Sequence, residues 1–428
     1  MQKSNLHYIS YYFPPIESIA SVRNYYIFQS LVSYFEDSKI YVSSNKRFFE
    51  KNEINPDQNE IITFTFDYRT ILQNFNSSKN KQFHLEEEKK QSKLAKIIIK
   101  LNETIPINLL VGEGGFFFIF GTIYKILNNI DNNVQNVIFT PYRPTANIVI
   151  GFISKVFNPK LYWIISMHDI PYVDKRPNTY FKNLQIKFWK AFFKKADCVI
   201  SVSKGVSNAL TEFGVDALTI INGVEIRNPN SANNKKFSIT FTGSIHEGLI
   251  DPNYFFICLE KMLSKDLIDA EKFEIIYAGK DAKFWSNNIN KYNKLSKVSN
   301  ITGLVDRRDA LLIQQNSNIN FLMSWNDVNF SGNLTGKLFE YIGARNPILT
   351  LIQGKYDEEF ETLFETLKCG KIFYTSDSLH EEKIITYILN MYSSWINGDF
   401  QSNYNDVKSL DTISWEHQVK LLIDSLPN

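Results

Sequence analysis

The sequence predicts an α/β protein built from two doubly wound parallel-sheet domains, and three observations carry that expectation. Short runs of β-branched and aromatic residues alternate with amphipathic helical stretches, the rhythm of βαβ units. The 428 residues exceed what one hydrophobic core usually holds. The stretch 228–236, rich in Asn, Ser and Lys with Pro229 at its start, reads as a linker between two halves. At 44% hydrophobic residues the chain can fill both cores. A net charge of +2 argues against a dedicated nucleic-acid binder. Cys198, Cys258 and Cys369 are far apart, with no metal spacing and no disulfide framework, so a reducing cytoplasm is the simplest compartment. Pro14-Pro15 interrupts the apolar start, which lacks a signal-peptide pattern. The most apolar run, 116–127, is too short to span a bilayer and contains Lys125.

Taken in order, 6–13 is a strand ended by Pro14-Pro15, 16–21 a loop, 23–34 a helix and 39–42 a second strand. Arg23 either meets an anion or is a solvated helix charge. The polar stretch 76–100, with its charged block 86–90, reads as a loop leading into an exposed helix. Residues 108–111 read as a strand, Gly112 to Gly115 as a tight turn able to approach phosphate, and 116–127 as a buried helix. A strand follows at 137–140, a loop at 141–145 and a helix at 146–157. The strand 161–167 ends in His168-Asp169, at the strand end where α/β proteins gather reactive groups. Such a pair can position a proton acceptor, or Asp169 is a turn residue and His168 a packed side chain. The helix 180–196 interleaves Phe181, Leu184, Phe188, Trp189, Phe192 and Phe193 with five lysines. It either lies on anionic lipid or is a core helix with solvated lysines. In the second half, strands are expected at 237–241, 274–278, 300–304 and 319–323, with a loop at 242–248 and a helix at 252–263. Arg307 opens another helix, reaching phosphate or facing water.

The most informative stretch is 331–352. Ser331, Gly332 and Asn333 form a loop, and Thr335 or Asn333 can cap a helix that carries Leu338 and Ile342 on one face. Gly343 and Pro347 would stop it before a buried strand. A helix N-terminus offers free N–H groups to an anion, and Lys337 adds a point charge suited to phosphate. Glu340, three residues on, could accept the hydroxyls of a ribose. The alternative is an ordinary Lys/Glu pair on a surface helix.

The segment Thr335-Gly336-Lys337-Leu338-Phe339-Glu340-Tyr341 through Leu349 resembles the donor site of glycosyltransferase family 4, retaining enzymes of the GT-B fold. Other segments resemble the same family: Tyr12-Phe13-Pro14-Pro15 with Arg23, His168-Asp169, 196–203, 219–225, 241–245, 300–304 and the closing Ser414-Trp415 helix. The resemblance implies two Rossmann-like domains facing a cleft, 1–227 and 228–412, with 413–428 crossing back to the first. It implies donor contacts at Gly243, Ser244, Gly303, Val305, Asn333, Thr335, Gly336, Lys337, Leu338 and Glu340. Acceptor contacts would be Pro15, Arg23, His168 and Asp169, with His168, Asp169 and Lys337 in catalysis. The implied activity moves a sugar from a nucleotide-diphosphate sugar to a saccharide or lipid-linked saccharide in surface-polysaccharide assembly. No cofactor or essential metal is expected, and peripheral contact with the inner membrane face is. Two departures stand out. The family's first motif glutamate falls at Gly332, and Leu249 follows Gly248 where a cation is usual. These departures keep open a non-catalytic nucleotide-sugar-binding subunit; a GT-B nucleotide-sugar 2-epimerase is the other alternative.

Overall fold

A computed structural model describes residues 4–16, 18–45, 59–67, 97, 100–171, 179–229, 234–327, 331–401 and 407–426. Glu17, the charged block 86–90 and linker residues 230–233 lie outside them. The chain divides into two compact units, Met1–Ile221 with Gln418–Asn428, and Asn222–His417.

The first unit holds β1 (Ser4–Ser10), α1 (Ile19–Val32), β2 (Asp37–Ser43), β3 (Glu60–Thr63), α2 (Asn108–Val111), α3 (Gly115–Asn129), β4 (Gln135–Pro141), α4 (Thr145–Phe157), β5 (Tyr162–Met167), α5 (Lys182–Lys195), β6 (Cys198–Ser201), α6 (Lys204–Leu210) and β7 (Leu218–Thr219). Its seven strands run in the order β3-β2-β1-β4-β5-β6-β7, every pairing parallel. The strands read as continuous apolar runs because helices on both faces leave no polar side. Tyr8, Ile40, Phe139 and Ile165 are fully buried.

The second unit holds β8 (Phe237–Thr242), α7 (Asn253–Ser264), β9 (Phe273–Ala278), α8 (Ala282–Ile289), β10 (Ser299–Gly303), α9 (Arg307–Gln315), β11 (Ile319–Trp325), α10 (Gly336–Ala344), β12 (Ile348–Gln353), α11 (Glu358–Leu367), β13 (Gly370–Tyr374), α12 (His380–Ile396) and α13 (Val407–Asp411). The last helix, α14 (Trp415–Ser425), begins in this unit. Six parallel strands run β10-β9-β8-β11-β12-β13. Strand order reverses beside β1 in one unit and beside β8 in the other. Ligands of doubly wound sheets bind at the carboxyl ends of strands at such points.

Four expectations are corrected. Residues 108–111 form a short helix: Asn108 N donates to Thr104 O and Gly112 N to Asn108 O, the i to i−4 pattern. A four-residue apolar run cannot by itself separate helix from strand. The helix at 116–127 is buried on one side only, with Phe116, Phe117, Phe120 and Tyr124 exposed. α1 begins at Ile19, earlier than the loop boundary suggested, because Ser18 caps it by accepting from Ser21 N. Gly343 does not stop α10; Arg345 does, at φ 62. Gly343 instead makes room for the chain at Glu225, whose carbonyl a Cβ there would strike, and its own carbonyl accepts from Arg227 N.

Candidate functional sites in the two units

In the second unit, three strand ends and one helix start converge. Gly243 follows β8 at φ +104, a backbone shape that glycine alone adopts readily. A Cβ there would overlap the end of the Lys337 side chain. The Lys337 ammonium donates to Ser244 O at 3.0 Å and lies 4.7 Å above the Phe241 ring. That ring stacks on Trp285 and Tyr277, both fully buried. Burial pushes Lys337 down to about 8; the carboxylates of Glu340 and Asp281 oppose the shift, and the charge of Lys280 adds to it. So a second cation does lie near Lys337, at the end of β9 rather than after Gly248. Tyr277 Oη donates to Gly243 O at 3.0 Å, and Gly279 N donates to Gly303 O at 2.8 Å, which ties the three loops together. Asp281 accepts from Ile245 N at 2.6 Å and fixes the loop after β8.

Thr335 occupies the N-cap of α10, but its hydroxyl caps nothing and has no partner among the described residues. The first turn of α10 therefore points backbone donors beside a recessed ammonium, a ready anion site. Glu340 is half-buried. Its Oε2 accepts from Gln314 Nε2 at 3.2 Å, while Arg307 Nε lies 3.8 Å from Oε1. Arg307 also pairs with Glu225 at 3.4 Å, so it neither simply faces water nor stands free for phosphate. Leu338 is wholly in the core, and its N–H is taken by Thr335 O, so its side chain cannot touch a ligand. Asn333, Gly336, Gly303 and Val305 are partly accessible on the surrounding loops. Gly332 holds φ +66 and donates its N–H to the buried Asp357 carboxylate at 2.8 Å. A longer side chain at 332 would be strained.

Gln314, Asp281 and Tyr277 were missed by sequence reasoning. Lys280-Asp281, directly after Gly279 at a strand end, was the available signal; Gln314, at the tail of an ordinary helix, gave none.

In the first unit, His168 sits just past β5. Burial and the positive charges of Arg23 and Arg143 hold its imidazole well below the usual value, so the ring is neutral at pH 7. Both ring nitrogens are buried and find no hydrogen-bond partner among the described residues. Arg23 is not a solvated helix charge. It is 5% exposed, donates to Ser166 Oγ at 3.4 Å, and burial lowers it to about 10. Asp169 is exposed, accepts from Ile170 N at 2.9 Å and pairs with Arg143 at 3.2 Å. Pro15 lies half-buried in the turn before α1. Arg143, after β4, was not foreseen.

On α5, Trp189, Phe192 and Phe193 are buried, while Lys182, Lys187, Lys190, Lys194 and Lys195 are exposed. Trp189, Phe192 and Phe193 thus face the core, while Phe181 and Leu184 are exposed and Phe188 is half-buried. No helix among the described residues is long and apolar enough to cross a membrane.

No protein-family model matches the chain, and no curated protein does. Solved structures do match. Sucrose-phosphate synthase from Thermosynechococcus elongatus aligns over 99% of this chain and 98% of that one, at TM-score 0.58 and 11% identity. The apo structure of OtsA aligns over 100% and 99%, at TM-score 0.58 and 11% identity. Anabaena HepE in complex with UDP and glucose aligns over 98% of each, at TM-score 0.56 and 10% identity. At these identities the likeness is one of fold, and the chain has the GT-B fold of two Rossmann-like parallel-sheet domains.

Proposed function

We propose that the protein is a glycosyltransferase that uses a nucleotide-diphosphate sugar as donor. The observation that carries this reading is the recessed Lys337 ammonium at the uncapped start of α10, with the Glu340 carboxylate one turn along. Departure of a nucleoside diphosphate leaves charge on its phosphate oxygens. Lys337, the first N–H groups of α10 and the loop after β8 supply fixed positive charge there without reorganisation. Glu340, braced by Gln314, accepts hydroxyls of the ribose. HepE, a structure of the same fold, holds UDP and glucose, which supports a nucleotide-sugar reading. In the first unit the neutral His168 is suited to accept a proton or hydrogen bond from an acceptor hydroxyl. Retention at the transferred carbon is part of the same reading.

The acceptor we favour is a saccharide, free or lipid-linked, met at the inner membrane face. The exposed lysines of α5 and the exposed aromatic face of α3 support peripheral attachment to anionic lipid. Sedimentation with anionic vesicles checks this arm: binding should fall with salt and with charge reversal at Lys187, Lys190 and Lys194.

The test of the central reading is a thermal-shift screen of nucleotide sugars, followed by turnover with saccharide and lipid-linked acceptors. Acceptor-dependent release of nucleoside diphosphate is expected. Donor consumption without acceptor would mean an epimerase. Donor binding without turnover on any acceptor would mean a binding subunit, the reading that Gly332 favours.

A further inference from the structure

A small cavity of about 50 Å³ lies in the first unit, lined by Asn102, Glu103, Asn108, Glu113, Arg143 and Thr145. Its chemistry is unusual for a structural void. Asn108 is 6% exposed, yet its Oδ1 has no hydrogen-bond partner among the described residues. Arg143 Nε is likewise buried and unpartnered among them. Arg143 and Glu103 stand 3.8 Å apart at their closest charged atoms, beyond hydrogen-bond distance. Burial pushes the Glu103 carboxyl up, Arg143 opposes that, and Glu113 and Asp169 reinforce it. The cavity thus presents an orphan acceptor, an orphan donor and a half-closed ion pair.

We propose that this cavity takes the hydroxyl-bearing edge of a sugar, and so selects a neutral saccharide over an anionic one as the acceptor group bound by this unit. A hydroxyl is donor and acceptor at once. A hydroxyl that accepts from Arg143 Nε and donates to Asn108 Oδ1 satisfies both orphans together, and a second hydroxyl can donate to Glu103. Charge disfavours anionic alternatives. Among the described residues one guanidinium stands among three carboxylates, Glu103, Glu113 and Asp169, so a phosphate or carboxylate meets more negative than positive charge from them. The volume admits one or two hydroxyl-sized groups rather than a whole ring, so the rest of the sugar stays outside. The inference rests on the glycosyltransferase reading for its biological sense, but binding of the sugar does not require turnover.

The test is saturation-transfer NMR on the full chain without donor. The probes are methyl glucoside, methyl galactoside, methyl mannoside and methyl N-acetylglucosaminide, with glucuronate and glucose 6-phosphate as charged counterparts. At least one neutral glycoside should bind, at least about tenfold more tightly than the charged sugars. Glu103→Gln should weaken it several-fold and narrow the discrimination, while melting temperature and nucleotide binding stay at wild-type values. Asn108→Leu should weaken it as well. No saturation transfer from any neutral glycoside, tighter binding of the charged sugars, or unchanged binding in Glu103→Gln would overturn the inference and leave the cavity to water. Neutral-sugar binding without transfer of any sugar would keep it and sink only the transferase reading.

Discussion

The two units are built on the same parallel-sheet plan, yet they finish their polar groups differently. Around Lys337 the groups that would meet a ligand have protein partners, Lys337 on Ser244, Glu340 on Gln314, Asp281 on Ile245 and Tyr277 on Gly243, while the Thr335 hydroxyl, Arg307 Nε and Trp285 Nε1 find no hydrogen-bond partner among the described residues. Around His168 the groups without a partner among the described residues are both nitrogens of His168, Nε of Arg143 and Oδ1 of Asn108. Buried polar groups are ordinarily satisfied, so each exception asks for a reason. The contrast suggests a division of labour. The second unit is pre-organised, with its charges already oriented before any ligand arrives. In the proposed reading the first unit holds hydrogen-bonding capacity in reserve for a ligand that brings both donors and acceptors.

The largest effect that would break this contrast is on turnover. Lys337→Ala removes a fixed charge at the leaving group and is expected to lower the catalytic rate roughly a hundredfold or more. Steady-state rates at saturating donor check it, and a wild-type rate would remove Lys337 from the chemistry. The same residue predicts a pH effect. In the proposed reading the cation binds diphosphate, and burial pushes Lys337 down to about 8. Donor affinity should therefore fall as pH rises through about 8 and beyond, and Lys337→Ala should flatten that slope. Stability moves the other way. The unfolded lysine, with its ordinary higher value, binds more protons between about 8 and 10.5, so unfolding free energy should rise with pH in that window.

Next in size is Gln314→Leu. Gln314 is fully buried and bridges Thr242 and Glu340. Its loss takes a donor from the Glu340 carboxylate and leaves Thr242 Oγ1 with Tyr341 Oη alone among the described residues, at a cost of about 1–3 kcal/mol by denaturant titration. Glu340→Gln keeps the shape but replaces a charged acceptor with a neutral one. Donor binding is expected to weaken by about 1–3 kcal/mol with little change in melting temperature. The smallest effect should come from His168→Leu. A group with no partner to lose is expected to change stability by about 1 kcal/mol or less, in either direction. A large destabilisation there, matched by none at Gln314, would invert the comparison.

The alternation of strands and helices was legible along nearly the whole chain, since burial on both faces leaves each strand an apolar run. Where it failed, as at 108–111, the segment was too short for periodicity to decide. The α3 face with Phe116, Phe117, Phe120 and Tyr124 misled because apolar composition does not say which side is covered. The second-unit site was legible where it is contiguous in sequence, at Thr335 to Glu340. Its supports come from other strand ends, and only the fold brings Gln314, Asp281 and Tyr277 to it. In the first unit, Arg23 could not be told from a solvated charge, because its burial depends on the strand that carries Ser166. Glu103 and Arg143 lie forty residues apart in chain order, and no local pattern announces their meeting.

The central claim is that the second unit binds the diphosphate and ribose of a nucleotide. Calorimetric titration of the full chain with UDP, GDP, ADP and dTDP tests it most directly. At least one should bind saturably, at least about tenfold more weakly in both Lys337→Ala and Glu340→Gln while each variant keeps a wild-type melting transition. Wild-type affinity in both variants, or no heat from any of the four nucleotides, would contradict the account.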